Sequence, residues 1–571
     1  SLHNMHNEKT CMKPTFAIYG IKDRGDYEKT GYVHDHNLCL MQDGKVLKYL
    51  QLERFTRRKY DNRLDLYLED IINEHIPELR SEFDFISVNS FVGSSFISRN
   101  GRIRFEADRL NGLSTEPMKG RCWFERENWT GREIPGYLCS HETAHIFSCI
   151  PFYGLFNDNS LLVHFDGGAS SSNFSAFHWK NQKMNLLEHH WELSHLSKIF
   201  NDNSFTFRIL GAKGGEHCSV PGKLMGYAGM GKTDPLIEEW IIRNNYFRSF
   251  WNEPEIILQS INQEFGLSLD RFDERYDFFQ NAAASFQSIF EKSILDKLNA
   301  LQKKTGAEYL YYSGGSALNI RANSLILRSG IFKDIFIPPC CNDSGLSLGA
   351  AAFLEYHKGS RIQHHSPFLN SIGCAFQSDV REESVNRSAK LLSEGKVLAV
   401  SLGYGEVGPR ALGSRSMLAL ADDRGLAEKI NIRCKKREWY RPLAPVMLNS
   451  EAERILEEPV HRLSEYMLLE YCVRKEYYKE LNGVVHKNGT VRAQTVSSEK
   501  ENPFLFRLLR LLNSKYGVKA LLNTSFNCAG EPIVHNYDDA VKSAAKLGAD
   551  ALLTEKGLAL STEGFQNFIA E

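Results

Sequence analysis

Two histidines four residues apart, His141 and His145, precede an apolar run and an Asp-Gly-Gly turn. At that spacing in a helix both imidazoles leave one face, which is what two ligands of a single metal ion require. Leu161–Phe165 reads as a buried strand. Asp166, Gly167 and Gly168 follow it, ahead of a second strand-like run at Phe174–Trp179. Glycines let backbone N–H groups approach oxyanions, and the aspartate can face a metal or a water. The stretch therefore predicts a metal beside a nucleotide phosphate. Two other readings stand next to it. Histidines four apart also arise by chance, and His141-Glu142-x-x-His145 spells the zinc-protease HExxH, in which the glutamate is the general base. The helix is expected to stop at Pro151 with no third-ligand helix after it, and the Asp-Gly-Gly turn belongs to phosphate binding.

The elements around this stretch repeat its design. Thr15–Gly20 is a short strand, Val33–Leu40 a second element, and Asp43-Gly44 turns it into an alternating strand at Lys45–Leu52. His34, Asp35 and Lys59 place titratable groups close to these core strands. A helix is expected at Leu64–His75 and a strand at Phe83–Ser90, with a loop-rich insertion beyond. Lys223 and Gly226 lie in a Pro-Gly-Lys-Leu-Met-Gly segment, and 236–303 is mostly helical. Leu310–Ser313 is a strand running into Gly314, Gly315 and Asn319, and Ile335–Pro338 leads to Asn342-Asp343 and a small-residue helix. A strand, a glycine turn and a helix put amides at a helix N-terminus, where a nucleotide phosphate fits. Three such loops resemble the sugar-kinase, Hsp70 and actin-like ATPase fold, in which two related halves clamp a nucleotide.

The chemistry changes beyond a polar stretch at 358–377. Arg410 and Arg415 flank a Gly-Ser turn, and Lys435-Lys436-Arg437-Glu438-Trp439-Tyr440-Arg441 carries four cations in seven positions. Arg492 follows, then Asn523, Ser525 and Asn527. Among Gly, Pro and aromatic residues such cations suit phosphate or another dense anion, where arginine forks bind in pairs of hydrogen bonds.

Composition fits a globular enzyme. The chain has 571 residues, 42% hydrophobic and 24% charged, with formal net charge −1. No basic block suggests a nucleic-acid footprint. The 12 cysteines are scattered without a C-x-x-C, which argues against zinc ribbons. With no apolar run of ~18 residues, a cytoplasmic location and no membrane partner are expected.

In order, HD, ERFTRRK, HETAH, FDGG, PGKLMG, SGGSALN, NDSGLSLGAA, GPRALGSRS, KKREWYRPLAP and LNTSFNCAGEPI resemble the O-carbamoyltransferases of antibiotic and nodulation-factor biosynthesis, over roughly residues 15–560. The resemblance implies an α/β chain of two parts. Residues 1–365, with 1–14 a tail, would form a duplicated actin-like ATPase (ASKHA) fold. Residues 366–571 would form a YrdC-like α/β domain. That second part would take carbamoyl phosphate and ATP to carbamoyl-adenylate and pyrophosphate. The first would pass the carbamoyl group to a hydroxyl of a small molecule or sugar, releasing AMP. By the same resemblance His141, His145 and Asp343 match metal ligands, with Asp166 where a fourth would be and iron the usual ion. His34 would be the general base, and Lys59 would lie near the carbamoyl group. Lys435-x-Arg437 and Ser525-x-Asn527, with Arg410, Arg415, Arg441, Arg492 and Asn523, would hold carbamoyl phosphate and the ATP phosphates with Mg2+. Gly167, Gly168, Lys223, Gly226, Gly314, Gly315 and Asn319 would meet the nucleotide in the first part.

The chain departs from that family at His36-Asn37, where small residues are common, at Val407 and Leu443, where aromatics are common, and at Asn342. His36-Asn37 is expected to reshape the acceptor pocket. A tRNA or protein acceptor on the same fold remains the alternative, and a homodimer is expected from the resemblance alone.

Overall fold

The structure is a computed structural model that describes residues 11–22, 33–193, 208–211, 218–247, 253–375 and 380–565. The tail up to residue 10, Gln377, most of 194–217 and the last six residues lie outside the described residues.

The apolar runs assemble into three large sheets. The first holds β1 (Thr15–Tyr19), β2 (Asn37–Gln42), β3 (Lys45–Gln51), β4 (Asp84–Val88), β5 (Phe96–Ile97), β6 (Ile103–Glu106), β7 (Met118–Arg126) and β8 (Trp129–Cys139), in the order β3-β2-β1-β4-β8-β7-β6-β5. β1, β4 and β8 are parallel, whereas β2 runs antiparallel to both β1 and β3. The expected β2–β3 turn is present, with Asp43 and Gly44 both at positive φ, the conformation a two-residue hairpin needs.

The second sheet holds β9 (Ser160–Phe165), β10 (Phe174–Lys180), β11 (Lys183–His190), β12 (Tyr309–Ser313) and β13 (Asp334–Phe336), in the order β11-β10-β9-β12-β13. Again the central strand pairs antiparallel with the second strand and parallel with the fourth. One five-strand arrangement thus occurs twice, β3-β2-β1-β4-β8 and β11-β10-β9-β12-β13. That is the duplication expected of an actin-like ATPase fold.

The stretch expected to be a loop-rich insertion after Ser90 is instead the antiparallel meander β5–β8. Its glycines and Pro135 hide the alternation that marks a strand. They are there for packing, since a Cβ at Gly120 would lie 2.7 Å from the Phe105 ring and one at Gly136 would lie 2.9 Å from Cys122 Cβ.

Two helices meet where the halves join, His141–Phe147 and Leu346–His357. Their contact depends on one hydrogen. A Cβ on Gly349 would fall 1.7 Å from the Ala144 carbonyl oxygen, so only glycine lets the second helix reach the first. Gly314 does the same for the strands, at φ +105° with a Cβ position 2.2 Å from Phe165 O.

The third sheet is mixed and seven-stranded, running Gln494–Val496, Ala444–Leu448, Leu521–Ser525, Arg415–Leu420, Leu398–Ser401, Ala551–Thr554 and Gly557–Leu560 in spatial order. The strands at Ala551–Thr554 and Gly557–Leu560 therefore stay with this sheet. Arg57 reaches it from the first part of the chain, donating to the carbonyls of Pro532 and Ile533 at 2.8 and 2.7 Å. Apolar packing is continuous too, from Leu161 and Phe165 to Met417, Leu443 and Tyr466.

Two predictions follow from these junctions. Gly349→Ala should destabilise the protein by about 1–3 kcal/mol in denaturant unfolding, because neither helix backbone can yield without repacking. The second concerns Asp334 on β13, which sits 2.7 Å from both His461 Nε2 and an Arg462 guanidinium nitrogen. Burial alone would raise its pKa, but the hydrogen bonds from His461 and Arg462 hold it down at about 2. A depressed carboxylate pKa stabilises the fold above its unfolded value and is lost as pH falls through the folded one. Wild type should therefore lose about 1 kcal/mol between roughly pH 4 and pH 2, after allowing for partial exposure. Asp334→Asn should lose that acid dependence when unfolding is followed against pH.

Candidate metal and anion centres

The His141 helix is placed by its first residue. Ser140 caps it by accepting from Thr143 N, and Ser140 N in turn donates to Ser114 Oγ at 2.8 Å. His141 and His145 then project together, with their Nε2 atoms 3.0 Å apart. Asp343 arrives from the turn before the Gly349 helix, with Oδ1 3.3 Å from His141 and 3.2 Å from His145. Asp166 arrives from the end of β9, with Oδ2 3.4 and 3.2 Å from the same nitrogens. One ligand atom from each of the four residues lies within 4.8 Å of all the others. All four side chains are buried.

These residues fit a metal ion. An ion with bonds of about 2.0–2.2 Å holds neighbouring ligand atoms at separations of about 3.0–3.5 Å, the range of the His–His and His–Asp separations here. Asp166 Oδ2, the oxygen that faces both histidines, is buried without a well-aligned hydrogen-bond partner among the described residues, as expected of a donor atom built for an ion. Two imidazoles with carboxylates suit a borderline divalent ion such as iron or zinc. The electrostatics are those of buried opposite charges. Burial alone would lower His141, but Asp343 and Asp166 raise it to about 10. Burial would raise Asp343, but His141, His145 and His34 hold it well below the carboxylate range.

Glu142 is not poised as a protease base. Its carboxylate accepts from Ser170 Oγ, Ser171 N and Ser172 Oγ, which ties the loop after Gly168 to the helix. The Gly168 amide meanwhile donates to Asp166 Oδ1 at 2.8 Å. The first role of this turn is therefore to aim Asp166.

His34 stands at the edge of the quartet. Its Nδ1 is 2.7 Å from Asp35 Oδ2, which leaves Nε2 turned toward Asp343 Oδ2 at 3.8 Å. Asp35 takes this position at φ +59°. Burial works against protonation of His34, but Cys218, the hydrogen bond to Asp35 and Asp343 raise its pKa well above the ordinary value. His36 and Asn37 are wholly buried and do not line a pocket, contrary to expectation. His36 Nδ1 accepts from Leu64 N at the start of the next helix, and Asn37 links Asp343 O to Ser347 N at 2.9 Å each. Tyr19, whose hydroxyl is 3.4 Å from Asp343 Oδ2, is a site residue that sequence reasoning missed, and Asp35 and Asn37 were named there without these positioning roles. Their signal, a polar residue in or beside an apolar strand, was present.

The glycine loops divide. Gly167 and Gly168 follow β9 while Gly314 and Gly315 follow β12, its parallel neighbour, so both loops open at the carboxyl ends of adjacent strands, where α/β folds bind ligands. Gly314 N is occupied by Cys341 O, whereas a Cβ on Gly315 would meet nothing within 4 Å. Asn319 caps the following helix through Ala322 N and pairs with Gln287, a structural position. Gly226 packs on Pro442, and Lys223 bridges to Glu438 at 2.7 Å. Both thus face the third sheet.

The cations gather at that junction. Lys435 Nζ donates to Ser525 O and Asn527 O at 2.6 Å each and to Asn527 Oδ1 at 2.5 Å. Arg437 donates to Ser525 Oγ at 3.3 Å, so the two pairs expected from the sequence do meet. Burial, then Arg410, Arg437 and Arg441, push Arg492 well below the usual arginine range. Burial and Arg441 bring Arg437 down to about 9. Burial likewise lowers Lys59; Glu53 opposes this, while Arg441, Arg437 and Lys223 add to it. Arg410 Nε and Arg492 Nε are buried without a hydrogen-bond partner among the described residues. Mutually repelling cations packed together in this way, half-buried at Arg410, Arg437, Arg441 and Arg492 and buried at Lys435, are stabilised by a bound anion.

Two of the expected anion ligands do different work. The Arg415 guanidinium is fully engaged by the carbonyls of Leu402, Gly403, Ser414 and His535, so it fastens its loop and presents no free fork. Asn523 donates to Ala411 O and Gln494 Oε1, holding the GPRALG segment on its strand.

Comparison with known proteins fits this arrangement. Residues 132–352 match the family described as Carbamoyltransferase N-terminus, and residues 389–560 match the one described as Carbamoyltransferase C-terminus. The chain belongs to the carbamoyltransferase family. It is 28% identical over 561 residues to nodulation protein NolNO of Sinorhizobium fredii, covering 91% of this chain and 78% of the relative. It is 24% identical to nodulation protein U of Azorhizobium caulinodans, covering 87% of this chain and 92% of the relative. Nodulation protein NolO of Bradyrhizobium diazoefficiens is 32% identical, over 48% of this chain and 53% of its own length. Among solved structures, full-length HypF in its phosphate- and nucleotide-bound form overlaps 61% of this chain and 56% of its own, at 14% identity and TM-score 0.30. A ROK hexokinase from Thermus thermophilus overlaps 60% of this chain and 99% of its own, at 9% identity and TM-score 0.28. The protein is thus a carbamoyltransferase enzyme. Among the described residues no helix is long and apolar enough to cross a membrane.

Asp343→Ala should weaken binding of a divalent ion at least tenfold, read by chelator competition, because it removes a carboxylate shared by both imidazoles.

Proposed function

We propose that this carbamoyltransferase is ATP-dependent and works in two steps, with a small-molecule hydroxyl, such as that of a sugar or natural product, as acceptor. At the cation cluster, water attacks carbamoyl phosphate and the bond between the carbamoyl group and phosphate breaks, which gives carbamate and inorganic phosphate. The carbamate oxygen then attacks the α-phosphorus of ATP and pyrophosphate leaves, which yields carbamoyl-adenylate. At the second centre the acceptor oxygen attacks the carbamoyl carbon, and AMP departs with the bonding electrons. A mixed anhydride makes physical sense here, since AMP is a far better leaving group than an amide nitrogen.

The chain's own residues have separate tasks in this scheme. Arg410, Arg437, Arg441 and Arg492 hold phosphate oxygens, while Lys435 fixes the Ser525–Asn527 loop beside them. Lys59 is placed to follow the carbamoyl group. His34, with Asp35 on its Nδ1, takes the acceptor proton at Nε2. Gly167, Gly168 and Gly315 border the nucleotide phosphate. An ion on His141, His145, Asp166 and Asp343, proposed as iron, would polarise a carbonyl and stabilise the oxyanion that develops. The observation that carries the scheme is the pairing of two unlike centres in one molecule, a buried carboxylate–imidazole quartet and a cluster of half-buried cations.

The test is carbamoyl-phosphate-dependent pyrophosphate release from ATP without acceptor. Wild type should release pyrophosphate, and Arg437→Ala should fall at least 100-fold. His34→Asn should retain release while losing transfer to any acceptor. No release by wild type with Mg2+ and with iron or zinc supplied would rule out the adenylate route.

A further inference from the structure

Side chains alternate across a strand, so residues two apart on β9 share a face. On this strand Leu161, Val163 and Phe165 enter one apolar core and Leu162 enters the other, beside Ala144 and Phe147 of the metal-centre helix. His164 therefore shares the Leu162 side, and its chain neighbour two residues on is Asp166. A polar, titratable residue in the middle of a buried strand needs an account, since an unpartnered one is costly.

The surroundings of His164 supply one. It is wholly buried. Its Nε2 lies 3.0 Å from Asp166 Oδ2, the oxygen that faces His141 and His145. Its Nδ1 lies 3.2 Å from the hydroxyl of Ser175, its cross-strand partner on β10. Its ring stacks on His145, with centroids 5.3 Å apart and planes 19° from parallel. His164 Nε2 and Asp166 Oδ2 both lack a well-aligned hydrogen bond among the described residues, so they face each other with capacity to spare. The compact ligand quartet comprises His141, His145, Asp166 and Asp343, and His164 stands behind it.

We infer that His164 is a positioning residue for the metal centre. With Ser175 Oγ–H donating to Nδ1, the proton is left on Nε2, 3.0 Å from Asp166 Oδ2, where a small ring rotation completes a hydrogen bond. Asp166 is then flanked on two sides, by Gly168 N on Oδ1 and by His164 on Oδ2. The ring face of His164 limits rotation of His145. Such outer partners orient ligands and set their basicity. The inference rests on the metal reading proposed above.

The test uses the whole chain loaded with Co2+ as a spectroscopic probe, in wild type, His164→Ala, His164→Gln and Ser175→Ala. Co2+ affinity is read by chelator competition, coordination by the visible d–d bands, and folding by thermal unfolding of the metal-free protein. His164→Ala should weaken Co2+ binding about 10–100-fold and shift the bands. His164→Gln, whose amide N–H can reach the same oxygen, should recover most of the affinity and keeps the test open if the alanine variant fails to fold. Ser175→Ala should lie between them. Affinity within twofold of wild type in both His164 variants would overturn the role, even if metal-free stability fell. A strong rise in d–d intensity, marking a lost ligand, would make His164 a ligand itself and overturn positioning. No Co2+ binding by wild type would overturn the metal reading and this role with it.

Discussion

Two carboxylates and three imidazoles are buried in one place, and the rest of the molecule is arranged to keep their charges balanced. Neither carboxylate could be buried alone without a large desolvation penalty. Each is stabilised by imidazoles that its own charge makes more basic, which is why Asp343 falls well below and His141 rises well above the ordinary range. The four candidate ligand residues come from three elements, the His141 helix, the end of β9 and the turn at Asp343. A balanced centre therefore exists only when both halves of the duplicated fold are assembled. Gly349 makes that assembly possible by letting the two central helices touch, and Asn37 fixes the Asp343 turn from the opposite sheet.

At the other centre the imbalance runs the opposite way. Lys435, Arg437 and Arg492 are all held below their usual basicity, first by burial and then by neighbouring cations. Repulsion on this scale is tolerated because backbone carbonyls and the carboxylate of Glu438 absorb part of it, as at Lys435 and Lys223. Glu406 plays a related part. Its Oε1 accepts from the amides of Leu412, Ser414 and Arg415, and so shapes the loop that carries Arg410. One centre is organised around carboxylates and the other around cations, and this division gives each a different ligand chemistry.

Much of this was legible from residue types and spacing. Helical spacing exposed His141 and His145, and the strand-glycine pattern found β9 and β12. Clustered cations among Gly and Pro marked the residues that the structure gathers into the cation cluster. What escaped shares a physical cause. His164 was read as part of an apolar run, because alternation within a fully buried strand separates two cores rather than core and solvent. Arg415 and Asn523 were read as ligands because sequence shows donors but not the carbonyls that engage them. His36 and Asn37 were read as pocket residues for the same reason. The β5–β8 meander was invisible because glycines chosen for close packing look like loop glycines. Position along the chain says which groups are available, and only tertiary contact says which remain free.

The two centres adjoin through a dipeptide. Lys59 feels Arg437, Arg441 and Lys223, while the next residue, Tyr60, sets its ring edge-on to His34 with centroids 6.3 Å apart. Lys59 is also over the Tyr60 ring, at 5.4 Å. Under the proposed two-step route, a carbamoyl-adenylate formed at the cations would therefore have the His34 side close by, linked to it through these two adjacent residues. Proximity of this kind matters for a mixed anhydride, whose main competitor reaction is hydrolysis. Arg54 strengthens the same boundary. It is fully buried, stands five residues before Lys59 on the chain and donates to Gly408 O at 3.1 Å in the loop that carries Arg410. A buried guanidinium at that point ties the position of Lys59 to the shape of the anion site. The segment from Arg54 to Tyr60 thus touches both centres.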